Sequence, residues 1–399
     1  MAPSVLYNMA KVTLIQVIYN GMRYIPQSFD SMMQQTVGDI DYVAVICGNA
    51  DGGKEYIQEH YPAVRVIDLG ENAFFARPHN IIFSNYISDF FQLVNQDLIL
   101  EPTYVAEILK VFEANPRIGA ATGKLLKYDF VNNKKLDIID TTGVTVWTNG
   151  RAADRGQNKK DSGQFNALLD VIAVSGAGPM YRREALEDIK MPKFSNERWQ
   201  VQNNRLVPSE GGDANFLTEY EYFDEDFVAY WEDVDLSLRL QARDWKCAYA
   251  PAAVGYHGRT AASSEKDYAD VAAYQKHHNS LSGFVRQMNY KNHIFLTLKN
   301  VPFISWKFFA REFFMLAYII LLERGTLGIF PIFVRQGHVM LKKRRWITKH
   351  RKTSAWLGMR QRRGIVSLVD EVEGVNQSKI SLSHWTKEFF RLMRLVFKR

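Results

Sequence analysis

The chain has 399 residues, 47% of them hydrophobic, with 50 Lys and Arg against 43 Asp and Glu for a net charge of +7. That length and apolar content exclude a largely disordered chain and allow a core larger than that of one average domain. Two cysteines, Cys47 and Cys247, are too few for a disulfide framework and lack zinc-site spacing, so they read as buried reduced thiols in a cytoplasmic protein.

The first ten residues show no basic region followed by a long apolar stretch, so no signal peptide is expected. Residues 11–18 (KVTLIQVI) predict a buried strand ending at Tyr19-Asn20-Gly21, and residues 25–35 a helix with Ile25, Phe29 and Met32 at helical spacing. A strand at 42–47 runs into the polar turn Gly48-Asn49-Ala50-Asp51-Gly52-Gly53. A helix at 54–61, a strand at 64–69, a helix at 79–89 and a strand at 90–94 follow, the last ending at Asn95-Gln96-Asp97. Strands alternating with helices predict an α/β fold with a mostly parallel, Rossmann-like sheet flanked by helices. Ligands bind beyond the carboxyl ends of such strands, where Asn20, the Asn49–Asp51 turn and Asp97 would gather.

Farther along, residues 104–114 predict a helix that ends before Pro116. Residues 119–166 read as strand and loop, 171–175 as a strand entering Gly176-Ala177-Gly178, and 182–189 as a helix. A polar, turn-rich stretch at 195–213 precedes a helix starting near Glu232 and a strand at 246–254, after which comes His257. Beyond about residue 300, aromatic, aliphatic and basic residues mix at helical spacing, which sets a boundary between residues 1–300 and a helical region 301–399.

Several residue types suit chemistry. Asp97 leaves an apolar strand, where a carboxylate either caps a turn or holds a hard divalent cation that binds phosphate oxygens. Glu232, Asp233 and Asp235 crowd a helix start; such carboxylates complement the helix dipole, and the same dipole keeps a general base ionised. His257, with Gly255, Gly258 and Arg259, is either a metal or phosphate ligand in a loop or a packed histidine. The Ser175–Gly178 glycines allow a backbone to approach a ligand closely. No P-loop, dinucleotide fingerprint or nucleophile elbow is present.

In order and spacing, these elements resemble family 2 glycosyltransferases of the GT-A fold, in particular the branch of bacterial rhamnosyltransferases and related O-antigen or cell-wall polysaccharide enzymes. The resemblance is carried by Val17-Ile18-Tyr19-Asn20, Gln34-Gln35-Thr36, Asn49-Ala50-Asp51-Gly52, and Asn72 with Phe75-Ala76 and Asn80. It continues through Asn95-Gln96-Asp97 with Leu100 and Pro102, Ser175-Gly176-Ala177 with 182–186, and Glu232-Asp233-Val234-Asp235-Leu236 with Arg239, Trp245 and His257. The chain departs from the family pattern at Ile46 and Cys47, where a nucleobase-contacting Asp and an Asn are usual, and at Ile18, Phe74, Ile82 and Asp244.

The resemblance implies an inverting, metal-dependent transferase acting on a nucleotide-diphosphate sugar, dTDP-rhamnose or a UDP-sugar, and on a saccharide or lipid-linked glycan acceptor. It implies Asp233 as catalytic base; Tyr19, Asn20, Asn49, Asp51, Asn80 and Asp97 on the donor; Gly176, Ala177, Trp231 and Glu232 on the acceptor side; and Mg2+ or Mn2+ held by Asp97 and His257. A non-catalytic nucleotide-sugar or glycan-binding scaffold is the alternative. Residues 342–363 hold many Lys and Arg and no carboxylate, and the aromatic residues Trp306, Phe308, Phe309, Phe313 and Phe314 precede them. With a similar pattern at 385–399, this predicts either helices lying peripherally on the anionic inner face of the cell membrane or a subdomain packed on the core or a second subunit. No nucleic-acid module is recognised, and none is expected as a partner.

Overall fold

The computed structural model describes residues 10–147, 152–203, 205–209, 218–259, 281–302, 304 and 306–353. Its centre is a ten-stranded mixed sheet. In chain order the elements are β1 (Ala10–Tyr19), α1 (Ile25–Met33), β2 (Ile40–Gly48), α2 (Gly53–His60), β3 (Val64–Asp68), α3 (Ala76–Asn85), β4 (Ser88–Asn95), β5 (Leu98–Leu100), α4 (Tyr104–Ala114), β6 (Ile118–Asp129) and β7 (Lys134–Thr141). There follow β8 (Asp170–Val171), β9 (Pro179–Arg182), α5 (Arg183–Ile189), α6 (Glu232–Ala242), β10 (Lys246–His257), α7 (Gly283–Asn300), α8 (Trp306–Leu322) and α9 (Phe330–His350).

Spatially the strands run β8-β10-β6-β9-β4-β1-β2-β3, with β5 on β10 and β7 on β6. The β1–β2, β1–β4, β2–β3 and β6–β10 pairs are parallel, whereas β9 runs antiparallel between β4 and β6. The expected α/β layering is present: successive side chains of a strand face opposite ways, and both faces of this sheet are covered. Val12 and Leu14 face a core built with Ile25 and Phe29 of α1, Ile57 of α2 and Ile108 of α4. Ile15 points to the other core, with Ile82 and Phe83 of α3, Leu186 of α5 and Leu236 of α6.

The same alternation explains the two departures in β2. Ile46 packs into the first core and Cys47 into the second, both buried. Both side chains are therefore taken up by core packing.

Three local expectations are corrected. Of the predicted strand at 171–175 only Val171 joins the sheet, in the two-residue strand Asp170–Val171; the chain then leaves it, with the Val174 N–H donating to Ser237 Oγ at 3.2 Å on the way to Gly176. Within the turn-rich stretch, Trp199–Gln202 pairs with Arg205–Pro208 as a two-stranded hairpin. His257 is not in a loop but is the last residue of the twelve-residue β10.

The described helices after residue 300 pack back on what precedes them. Val339 and Met340 of α9 join Phe295 and Leu296 of α7, Val234 and Leu238 of α6, and Phe227 in one apolar cluster. Below it lies a buried ion cluster. Lys343 Nζ is 2.6 Å from Glu221 and 2.8 Å from Asp226 and also bonds Asp224, while Lys299 is 2.7 Å from Asp235 and also pairs with Asp224. Burial opposes the Lys343 charge, but Asp224, Asp226 and Glu221 outweigh it and hold the ammonium well above its usual range. Lys343 therefore belongs to the interior, although the basic block that contains it reads as a surface feature; Lys342 and Arg345 beside it are exposed. The stretch 385–399 lies outside the described residues, as do 354–384.

Candidate active site

The carboxyl ends of β1, β2, β4 and β10 and the head of α6 meet at one edge. Asn95, at the end of β4, donates its N–H to Ala177 O at 2.9 Å, and next to it the Gly176 N–H donates to Asp233 Oδ2 at 2.7 Å. Gly258, just beyond β10, donates its N–H to Asp97 O at 2.8 Å. The 176–178 loop thus bridges the Asp97 turn to the head of α6, and Asp97 and Asp233 are held on the same edge.

Asp233 is half-buried in the first turn of α6, and its Oδ1 accepts from its neighbour Val234 N–H at 2.7 Å. Burial raises its pKa to about 6; the Gly176 and Val234 N–H groups pull it down and the Asp154 charge pushes it up. Such a carboxylate is ionised at neutral pH yet basic enough to take a proton. Glu232 is buried more deeply and, through burial and the Asp233 charge, is raised to about 8. Its Oε2 has no hydrogen-bond partner among the described residues. The segment entering α6 is strained, since Val228, Tyr230 and Trp231 have φ of 66°, 69° and 75°. It is fastened from behind: Asn292 of α7 bonds the carbonyls of Phe227, Ala229 and Tyr230 at 2.9, 2.7 and 2.7 Å, and Trp231 Nε1 donates to Asn289 at 3.0 Å.

Asp97 and His257 come together as expected, with His257 Nε2 3.2 Å from Asp97 Oδ1. Both are buried. Burial disfavours a charged imidazole, but Asp97 on one side and Asp140 on the other outweigh it and lift His257 to about 10. Asp140 Oδ2 lies 2.8 Å from Nδ1. Arg259 then joins Asp140 at 3.2 Å to Asp154 at 2.7 Å, so a line of alternating charge runs from Asp97 to Asp154, whose charge acts on Asp233. Asp140 and Asp154 carry no local pattern that marks them, and Arg259 stands out only as a neighbour of His257.

The Asp97–His257 pair suits a divalent cation. Two bonds of about 2.1 Å meeting near a right angle span about 3 Å, close to the separation of these donors. Among the described residues no cluster of three or more His, Cys, Asp or Glu side chains forms a metal cage. Two protein ligands leave room for phosphate oxygens, the usual arrangement for Mg2+ at a nucleotide site.

Tyr19 and Asn20 are exposed at the end of β1, and Asn20 takes φ 46° while its Oδ1 accepts from Ala50 N–H at 2.9 Å. The turn after β2 is knitted by its own side chains. Asn49 Oδ1 accepts from Lys54 N–H at 2.8 Å, and Asp51 accepts from Met22 N–H at 2.8 Å and Gly53 N–H at 3.2 Å. Gln96, which the motif Asn95-Gln96-Asp97 contains but to which the sequence assigns no role, ties the edge together by accepting from Tyr19 N–H at 3.0 Å. Asn80 is the exception among the donor-side residues. It is fully buried, donates to Phe223 O at 2.9 Å and Glu225 at 3.0 Å, and accepts from Tyr222 and Phe223 N–H. Its amide is used up in holding the 222–225 loop, so a direct donor contact is corrected to a structural one. Of the residues expected on the acceptor side, Ala177 and Glu232 are buried, and Gly176 and Trp231 are partly open.

Residues 13–190, just under half of the chain, match the model of glycosyl transferase family 2. Among curated relatives, an uncharacterized glycosyltransferase of Nostoc sp. is 24% identical over 206 residues, covering 48% of this chain and 56% of its own. The teichoic acid poly(glycerol phosphate) polymerase of Staphylococcus epidermidis is 31% identical over 93 residues, 22% of this chain and 13% of its own. The chain therefore spans little more than half, or less, of the curated relatives it matches. The crystal structure of GalNAc-T7 with UDP, GalNAc and Mn2+ is similar in fold, with a TM-score of 0.51 at 11% identity over 80% of this chain and 54% of that one. The fold is accordingly GT-A-like, with a helical carboxy-terminal region.

Proposed function

We propose that this protein is an inverting glycosyltransferase that moves a sugar from a nucleotide-diphosphate sugar to an acceptor hydroxyl in polysaccharide synthesis. The observation that carries the reading is the pairing of a cation-suited Asp97–His257 couple with a half-buried carboxylate, Asp233, on one sheet edge. It is supported by the family 2 domain at 13–190 and by the fold shared with a structure that holds UDP, GalNAc and Mn2+.

Asp97 and His257 are the residues that would hold Mg2+ or Mn2+, and such an ion would offset charge developing on the departing diphosphate. Asp233 accepts the proton of the acceptor hydroxyl as that oxygen attacks the anomeric carbon on the face opposite the leaving group. The Gly176 and Val234 N–H groups hold the Asp233 carboxylate in place for this. One displacement exchanges the two C–O bonds and inverts the anomeric centre, with no enzyme-bound sugar. Tyr19, Asn20, Asn49 and Asp51 frame the donor side, while Gly176, Trp231 and Glu232 frame the acceptor side. Burial of Ile46 and Cys47 leaves base recognition to other groups on the edge, and dTDP-rhamnose is the first donor to try, ahead of UDP-sugars.

The acceptor is a saccharide or lipid-linked glycan presented at the inner face of the cell membrane. No single described helix is long and apolar enough to cross a bilayer. However, Trp306, Phe309, Phe313 and Ile320 of α8 are exposed at 68, 61, 68 and 47%, and their spacing puts them along one side of that helix, as in a helix lying in an interface. Incubating the purified chain with dTDP-rhamnose, UDP-hexoses and GDP-mannose, each with Mn2+ and a lipid-linked acceptor, tests the reading. Release of free nucleotide diphosphate with formation of the opposite anomer supports it, and binding of a nucleotide-sugar without any turnover would favour a scaffold.

A further inference from the structure

We propose that Asp140 is a positioning residue for His257, fixing the imidazole so that Nε2, the nitrogen beside Asp97, is the one presented to a divalent cation. The inference rests on the metal-assisted reading above and extends it to a residue 117 positions from His257 in sequence.

β7 and β10 both pair with β6, so Asp140 and His257 lie two strands apart in one sheet and meet across β6. Asp140 is fully buried, and its Oδ2 stands 2.8 Å from His257 Nδ1. An ionised carboxylate can only accept, so Nδ1 keeps its proton, and a metal would bind at Nε2 by displacing the proton that nitrogen directs at Asp97. Nε2 is the nitrogen 3.2 Å from Asp97 Oδ1. A carboxylate behind a ligating imidazole both orients the ring and makes it a better donor. Asp140 is fixed in turn: its Oδ1 is 3.2 Å from Arg259 Nε, and Arg259 is anchored to Asp154 at 2.7 Å. A carboxylate present merely to neutralise Arg259 would not need to point its second oxygen at the imidazole.

The test uses the full chain with Mn2+ and UDP or dTDP as probes, read by calorimetry and by the electron paramagnetic resonance signal of free Mn2+. Asp140→Ala is expected to weaken Mn2+ binding by about 10- to 100-fold. Asp140→Asn, which keeps an oxygen able to accept from Nδ1–H, is expected to recover part of that loss. Thermal unfolding without metal separates this from a general loss of structure, because Asp140→Asn should unfold near the wild-type temperature yet still bind Mn2+ less tightly. Wild-type Mn2+ affinity in both Asp140 variants, with loss in His257→Ala, would overturn the inference and leave the transferase reading standing. No Mn2+ or nucleotide binding by the unmodified chain would overturn both.

Discussion

The backbone N–H of Gly176 stands 2.7 Å from Oδ2 of Asp233, so the loop that leaves the sheet edge holds the carboxylate at the head of α6 by a direct bond. An amide at position 233 keeps the shape but cannot accept a proton. Asp233→Asn should lower turnover by about 10²- to 10⁴-fold while nucleotide affinity is retained. Product formation and calorimetry on the same preparation check this, and near-wild-type turnover would remove Asp233 from the role of base.

Burial raises Asp233 to about 6, and a base works only when ionised. The rate should therefore climb as pH rises through about 6 and be lost below it. Asp154 adds a negative charge that disfavours ionisation of Asp233, so Asp154→Asn should move this acid limb to lower pH. A pH profile of kcat/KM for both proteins measures the displacement; an upward or absent shift contradicts the geometry.

Asp97 and His257 are the two side chains proposed to hold a cation. Adding a chelator should weaken nucleotide-diphosphate binding, and Asp97→Ala should reproduce that loss with no further effect of chelator. Titration calorimetry with and without EDTA gives the answer directly.

Removing Lys343 would leave Glu221 and Asp226 buried without the ammonium they share, and Asp224 with Lys299 alone. Breaking a buried pair from one side costs about 3–5 kcal/mol. Lys343→Met should therefore unfold at distinctly lower denaturant concentration than Lys342→Met, which alters an exposed neighbour. Equal midpoints for the two variants would deny the cluster its structural role.

The exposed side of α8 offers a test of membrane contact. Fully burying one large apolar side chain stabilises by roughly 1.5–3 kcal/mol. Replacing Trp306, Phe309 and Phe313 with Ser should cut binding to anionic vesicles by at least about tenfold while leaving donor binding unchanged. Sedimentation with phosphatidylglycerol vesicles reports it, and equal partitioning of variant and wild type counts against the membrane proposal.

Much of this arrangement was legible in the chain because it is local. Alternating apolar runs and helical spacing mark β1 to β4 and the helices between them, and Asp97 and Asp233 stand out because each sits where such an element ends or begins. What was hidden depends on distant pairing. The reversed strand β9 is four residues long and carries no pattern distinguishing its direction. Asp140 lies in a polar stretch and gains meaning only when β6 brings β7 and β10 together. Asn80 sat within a recognisable motif, but only its bonds to Tyr222, Phe223 and Glu225 reveal that it holds a loop rather than a ligand. Lys343 was masked by its neighbours, since in a run of Lys and Arg nothing local says which one turns inward.

The ion cluster joins the acids at 221–226 to Lys343, more than a hundred residues later. During synthesis the chain emerges from its amino terminus, so the sheet and the Asp97 turn can assemble early. Glu221, Asp224 and Asp226 must wait in water until position 343 has cleared the ribosome. The packing around residues 221–226 is then completed last, and a chain that ended before residue 343 would leave these acids without the ammonium they share.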